Sequence, residues 1–232
     1  MKILYEDKYM LVCDKPVGVE SQLSSGNGKS CKSSKNIGDM PTLLAEYRRE
    51  KGEDAYIGVV HRLDTATGGA MIYSKRSDMT GKLSALVQSG DYEKTYLAVV
   101  HGEPEEKSGE MRDLLYHDKT KNKSFPCAKR RNGVKEAILS YRNLETIALE
   151  NGEKMSLVEV ELITGRTHQI RVQFASRRMP LVGDGKYGSR DNRANCALWS
   201  QKVRFTHPVT GKIIEAKSNP EGGYPWELFE IL

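Results

Sequence analysis

Cysteine is scarce and scattered. Cys13, Cys31, Cys127 and Cys196 form no C-x-x-C pair, which argues against a thiolate zinc site and against a disulfide scaffold; a reducing cytoplasm is the expected setting. The five histidines, His61, His101, His117, His168 and His207, include no H-x-x-x-H and no H-E-x-x-H, so no metal is expected. Long apolar runs are missing too. The opening "MKILYEDKYMLVCDKP" has no apolar core of the signal-peptide kind, and no stretch reaches the length of a membrane helix. Nucleotide and hydrolase signatures are also absent. "DTATGGAMIYSK" has glycines without the phosphate-loop spacing, "GDGKYG" lacks the preceding strand, and no G-x-S-x-G occurs.

What is present describes a water-soluble globular chain. Of 232 residues, 38% are hydrophobic and 29% charged, enough to bury a core and too apolar for disorder. Lys and Arg exceed Asp and Glu by 36 to 31, a net charge of +5. That excess permits a nucleic-acid partner without requiring one.

The residue pattern gives the expected elements. Residues 3–15 read as two short strands with a polar turn at Glu6–Lys8, and Ser21–Asn36 as a flexible loop rich in Ser, Gly and Lys. "DMPTLLAEYRREKGE" is helical, with Pro41 at its first position. "AYIGVV" and "AMIYSK" are strands on either side of "HRLDTATGG". A helix follows, capped by Ser77 and stopped by Gly90. "YEKTYLAVVHG" is a strand. Residues 103–134 read as polar and irregular, with a basic cluster of Lys119, Lys121, Lys123, Lys129, Arg130 and Arg131. A solvated charged loop is the first reading of that cluster, and contact with RNA phosphates the second. A hairpin turns across Glu150–Glu153, "RTHQIRVQFASRR" is a helix, and a closing hairpin turns at His207–Gly211. With no repeat and no clear linker, residues 1–232 are expected to form one domain. The mixture predicts α+β around a largely antiparallel sheet.

Asp64 is the remaining chemical centre. On "HRLDTATGG" alone, an ion pair that ends a strand is the better reading. The balance changes when "HRLDTATGG" (61–69), "YEKTYLAVVHGEP" (92–104) and "TGRTHQIRVQFASRRMPLVGDGKYG" (164–188) are taken in order with the opening strands and the "FTHPVTG" turn. Together they resemble the RluA-type family of RNA pseudouridine synthases. The likeness draws on nearly all of the chain except 21–36 and much of 105–150. Three positions depart from it: Gly68 stands where the family usually has Ser, Ala70 where a larger aliphatic residue is usual, and Gln173 where His is common.

The resemblance implies the pseudouridine synthase fold, a largely antiparallel mixed sheet flanked by helices with a central active-site cleft. It implies isomerisation of specific uridines in rRNA or tRNA, without cofactor or metal, by a cytoplasmic monomer that lacks a separate N-terminal RNA-binding domain. Asp64 matches the catalytic aspartate, as nucleophile or as base. Arg171 matches its ion-pair partner, and Tyr96 the tyrosine that stacks on a flipped uracil. Arg62 is expected to fill the vacated stack or hold a phosphate, and His61 to orient the loop. Lys94, Arg166 and His168 are RNA contacts, and Leu198 is a wall of the uracil pocket. Two other readings stand beside this one: a non-catalytic RNA-binding or ribosome-assembly factor that keeps the fold, and a small-molecule nucleosidase or glycosidase.

Overall fold

A computed structural model of the chain describes residues 1–23 and 38–231. Most of the expected 21–36 loop, with Cys31, lies outside the described residues. The strands are β1 (Ile3–Glu6), β2 (Met10–Lys15), β3 (Gly58–Val59), β4 (Gly68–Ser74), β5 (Tyr92–His101), β6 (Ser108–Asp118), β7 (Lys123–Cys127), β8 (Val134–Ala148), β9 (Lys154–Leu162), β10 (Leu198–Thr206) and β11 (Ile213–Lys217). The α-helices are α1 (Met40–Glu50), α2 (Ser77–Ser89) and α3 (Gln169–Ser176). No helix among the described residues is long and apolar enough to cross a membrane. The chain divides into two compact units, Met1–Tyr92 with Lys202–Ser218, and Glu93–Gln201 with Asn219–Leu232.

In the first unit β1 pairs with β2, β2 with β4, β3 with β4, and the end of β10 with β11, all antiparallel. Apolar residues at alternate positions of these strands, Met10 and Val12, Ala70 and Ile72, Val203 and Phe205, Ile214 and Ala216, join Leu83 of α2 and Tyr92 in one core. Helix α1 begins as its sequence dictates: Asp39 accepts a hydrogen bond from the Thr42 amide at 2.9 Å, and Pro41 lies in the first turn. Helix α2 corrects an expectation. Ser77 is its first helical residue and Arg76 its cap, with no side-chain capping bond. Arg76 pairs with Asp78 instead, at 2.9 and 2.8 Å, and Gly90 ends the helix in the left-handed conformation.

In the second unit the order is β5, β9, β8, β6, β7, again with antiparallel pairing. Here the expectation of an irregular 103–134 is overturned, because β6 and β7 occupy much of it. Their charges are no bar to a strand with a wet face. Arg112 on β6 bonds Glu110 two residues away at 3.1 Å and Glu136 across on β8 at 3.3 Å, while Met111 and Leu115 are buried. Two elements are shorter than expected: "AYIGVV" keeps only Gly58–Val59 as strand, and the helix expected over 166–178 spans Gln169–Ser176. The second difference has a local cause. His168 adopts φ 55, a left-handed conformation that cannot continue a helix backwards.

Candidate active site

His61, Arg62 and Asp64 lie in the first unit, on the loop from β3 to β4. Arg62 is exposed and Leu63 buried, so the loop turns one side chain outward and the next inward. Leu63 is held at both ends by Ser21, whose Oγ donates to the Leu63 carbonyl at 2.7 Å and accepts from its amide at 3.1 Å. Asp64 is half-buried, and its carbonyl accepts from the Thr67 amide at 2.9 Å, closing a turn over residues 64–67. The next residue, Thr65, offers its carbonyl to the Gly18 amide at 2.8 Å. His61 faces the strands: its Nε2 accepts from the Ile72 amide at 3.3 Å, and the Tyr92 hydroxyl lies 3.4 Å away. After the turn, Gly69 carries φ 107, which a side chain would oppose. Gly68, the departure from the family pattern, is buried as the first residue of β4.

Lys15 underlies this loop. It is wholly buried, and its Nζ donates to the carbonyls of Val19 (2.7 Å), Pro16 (3.0 Å) and Thr65 (3.4 Å). Burial pushes its pKa down to about 8, a fall that the negative charge of Asp64 resists.

The second unit holds Lys94, Tyr96, Arg166, His168, Arg171 and Leu198. Tyr96, buried on β5, lies opposite Val160 of β9. Lys94, on the same strand, approaches the "TGR" loop so closely that a Cβ on Gly165 would lie 3.8 Å from its Nζ; burial lowers its pKa. That loop is fastened to β8. Gln169 accepts from Thr164 Oγ1 at 2.8 Å and from the Arg166 amide at 2.9 Å while donating to the Ile138 carbonyl at 3.0 Å. Arg166 Nε donates to the Glu136 carbonyl at 2.8 Å. Leu198 is buried at the start of β10.

Arg171 is 7% exposed, and its Nε and Nη2 donate to Asp184 Oδ2 and Oδ1 at 2.7 and 2.8 Å. This side-on, two-point grip fixes the plane of the guanidinium. The Tyr187 ring lies beneath it, 5.2 Å from centroid to guanidinium carbon. The Tyr187 hydroxyl accepts from the Ser124 amide at 2.8 Å and lies 2.9 Å from His168 Nδ1. One phenol thus links β7, the start of α3 and the "GDGKYG" segment. Gly183 lets Asp184 tuck in: at φ 76 any Cβ would collide with the carbonyls of Ala194 and Asn195. Gln173, another departure from the family pattern, is fully buried, and its amide donates to Asp113 Oδ2 at 2.7 Å and the Met111 carbonyl at 3.2 Å.

Asp184, Tyr187 and Lys15 were missed by sequence reasoning. "GDGKYG" lacks the setting of a phosphate loop and otherwise enters only as the tail of the 164–188 match; a buried acid and an aromatic three residues apart next to an arginine-bearing helix were the available signal. Among the described residues no three His, Cys, Asp or Glu side chains converge as a metal ligand set.

These positions can be set against known proteins. A family model described as RNA pseudouridylate synthase matches residues 9–176. An uncharacterized RNA pseudouridine synthase of Bacillus subtilis is 33% identical over 220 residues, covering 94% of this chain and 68% of the relative. The ribosomal large subunit pseudouridine synthase D of Xanthomonas campestris is 31% identical over 233 residues, covering 94% and 65%. The chain therefore spans about two thirds of the length of these curated relatives. In fold it is similar to human RNA pseudouridylate synthase domain containing 1, with TM-score 0.73 at 22% identity, covering 94% of this chain and 83% of that one. Motifs, matched family model and fold converge on one statement: the chain belongs to the RluA-type RNA pseudouridylate synthases, a family of isomerases that act on RNA.

Proposed function

We propose that this chain, working over 1–232 as one catalytic domain, isomerises selected uridines to pseudouridine within a folded RNA. The N1–C1′ bond breaks, the uracil turns, and C5 bonds to C1′. The C5 proton is lost and N1 gains one, so the change is an isomerisation that calls for no cofactor. Asp64 begins it, by attack on the sugar or by removing a proton from it. The observation that carries this reading is the ordered match of "HRLDTATGG", "KTYLAVV" and "GRTHQIRV" to the family that the chain belongs to.

The target uridine must leave its stack to react. Tyr96 offers an aromatic face to the extruded base, and Leu198 an apolar wall. Arg62, exposed on the loop, fills the space left behind or holds the neighbouring phosphate, and His61 orients that loop. Arg171 stabilises the reacting carboxylate. A guanidinium suits that task because its charge persists at every working pH, and the grip of Asp184 supports it by holding Arg171 still. Lys94, Arg166 and His168 serve the RNA side.

The names of two relatives, ribosomal large subunit pseudouridine synthases C and D, make ribosomal RNA the first substrate to try and transfer RNA the second. The test uses bulk RNA from cells lacking this gene. After incubation with the protein, pseudouridines are mapped by chemical modification and primer-extension stops. New stops in one RNA class establish the activity and name the substrate. RNA that binds but gains no stop would leave a binding factor that keeps the fold. Asp64→Asn should abolish the stops, with turnover falling by orders of magnitude while RNA affinity holds.

A further inference from the structure

His101 closes β5, opposite Met155 of β9, and its amide donates to the Pro180 carbonyl at 3.0 Å. Its ring Nε2 lies 2.9 Å from Oγ of the buried Ser189. That oxygen also accepts the amides of Gly183 and Asp191, each at 3.2 Å. A hydroxyl oxygen has two lone pairs and one O–H. The amides take both lone pairs, so the O–H is left to donate to His101. His101 Nε2 is therefore an acceptor, and the neutral ring carries its proton on Nδ1.

This pair holds the segment that carries Asp184. The Ser189 amide donates to the Asp184 carbonyl at 3.1 Å, while Ser189 Oγ takes the amide of Gly183, the residue before. One serine thus ties Asp184 from both sides, and the Asp184 carboxylate in turn grips Arg171. Tyr187, beneath the guanidinium, lies within the same closed segment. We infer that Ser189 and His101 are positioning residues for the reaction: the serine sets Asp184, and the neutral histidine sets the serine by accepting its proton. This rests on the role given to Arg171 in the reaction proposed above. A plain staple would not titrate, and this one does. An imidazolium has no lone pair to offer, so protonating His101 strips the Ser189 O–H of its acceptor and turns an N–H toward an oxygen already filled. Burial lowers the His101 pKa below the ordinary 6.5; the charges of Asp191 and Glu153 oppose that fall, and the charge of Arg193 adds to it. Glu150, Arg178 and Arg190 line the same open cleft, through which protons reach the ring. The accepting form therefore prevails at and above pH 6.5 and is lost as the pH falls through the lowered value.

Nitrogen NMR of the unaltered protein, with no RNA present, reads the His101 tautomer. The proton should sit on Nδ1 at neutral pH; a proton on Nε2 overturns the inference. With the RNA identified by the pseudouridine map, Ser189→Ala should lower kcat by about tenfold or more, because Arg171 keeps its charge and loses its fixed place. The Kd for RNA and the circular dichroism spectrum should be nearly unchanged. A folded Ser189→Ala with kcat within about threefold of the parent overturns the inference. His101→Leu, with no acceptor, should lose as much as Ser189→Ala. His101→Gln presents an amide oxygen near the place of Nε2 and takes up no proton. It should recover most of the parent's kcat at about pH 7.5. The parent should lose turnover as the pH falls from 6.5 to about 5.5, and His101→Gln should not. Matching acid profiles in these two proteins overturn the inference even if Ser189→Ala cannot be purified. An unaltered protein that makes no pseudouridine sinks the proposed reaction, and the positioning role with it, whichever tautomer His101 shows.

Discussion

Arg171 and Asp184 face each other through two parallel hydrogen bonds of 2.7 and 2.8 Å, with side chains 8% and 1% exposed. Two charges removed from water depend on each other: breaking a buried pair leaves the survivor uncompensated, at a cost of about 3–5 kcal/mol. Asp184→Ala should lower the free energy of unfolding by that order in urea titrations. Turnover should fall more steeply than RNA affinity, because the guanidinium loses the grip that sets its plane. Asp184→Asn, which keeps the shape and one acceptor, should recover part of the stability. Unchanged stability in both variants would mean that Arg171 finds another partner.

Tyr187 supports the same guanidinium from beneath and carries a hydroxyl shared between Ser124 and His168. Tyr187→Phe keeps the ring and removes the hydroxyl, leaving the Ser124 amide and His168 Nδ1 without it. The expected loss is about 1–3 kcal/mol of stability, read as a lower denaturation midpoint. Tyr187→Ala removes the ring as well and should cost more in both stability and turnover. If the two variants unfold alike, the ring contributes nothing beneath Arg171.

These two residues show which parts of the molecule the sequence disclosed. Elements marked by local chemistry were readable: α1 from Asp39 and Pro41, the end of α2 from Gly90, and the hairpin turns expected across Glu150–Glu153 and His207–Gly211 from their polar and glycine residues. Strands β6 and β7 were not, because Lys, Arg, Asp and Glu dominate their exposed faces and the charges that make this tolerable are paired with residues the sequence does not set side by side, such as Arg112 with Glu136. In the candidate site, the loop carrying His61, Arg62 and Asp64 stood out as a motif. What holds the site residues did not: Lys15 meets Thr65 fifty positions away and Ser124 meets Tyr187 sixty-three away, and no local period reports such contacts.

The basic cluster around the β6–β7 turn and beyond it offers a test of RNA contact. Lys119, Lys121, Lys129, Arg130 and Arg131 are exposed. Lys123 and Lys186 are interlocked, Lys123 Nζ donating to the Lys186 carbonyl at 2.6 Å and Lys186 Nζ to that of Asn122 at 3.1 Å. If the exposed members touch phosphates, RNA affinity should fall linearly in a plot of log K against log salt. Replacing Lys129, Arg130 and Arg131 by alanine should then flatten the slope by about 0.7 for each contact to a single strand that is lost. An identical slope would make the cluster a solvated surface.

Acid should weaken the first unit through Glu6. Its carboxylate accepts from Lys75 at 2.6 Å, Lys51 at 2.9 Å and Tyr47 at 2.8 Å. Burial alone would raise its pKa, but these hydrogen bonds and the charge of Lys75 outweigh burial and hold it at about 2, against an ordinary value of 4.5. A group whose pKa is depressed in the folded state stabilises the protein above its unfolded value, and that contribution drains away as the pH falls toward its folded value. Stability should therefore drop between about pH 4.5 and 2, partly through this carboxylate. Glu6→Gln should be less stable than the parent at neutral pH, since it leaves Lys75, 6% exposed, with Glu53 as its remaining partner. The variant should lose less stability than the parent over the acid range, because the titrating group is gone. Urea midpoints of both proteins measured across that range decide it: parallel pH profiles would show that Glu6 carries none of the acid sensitivity.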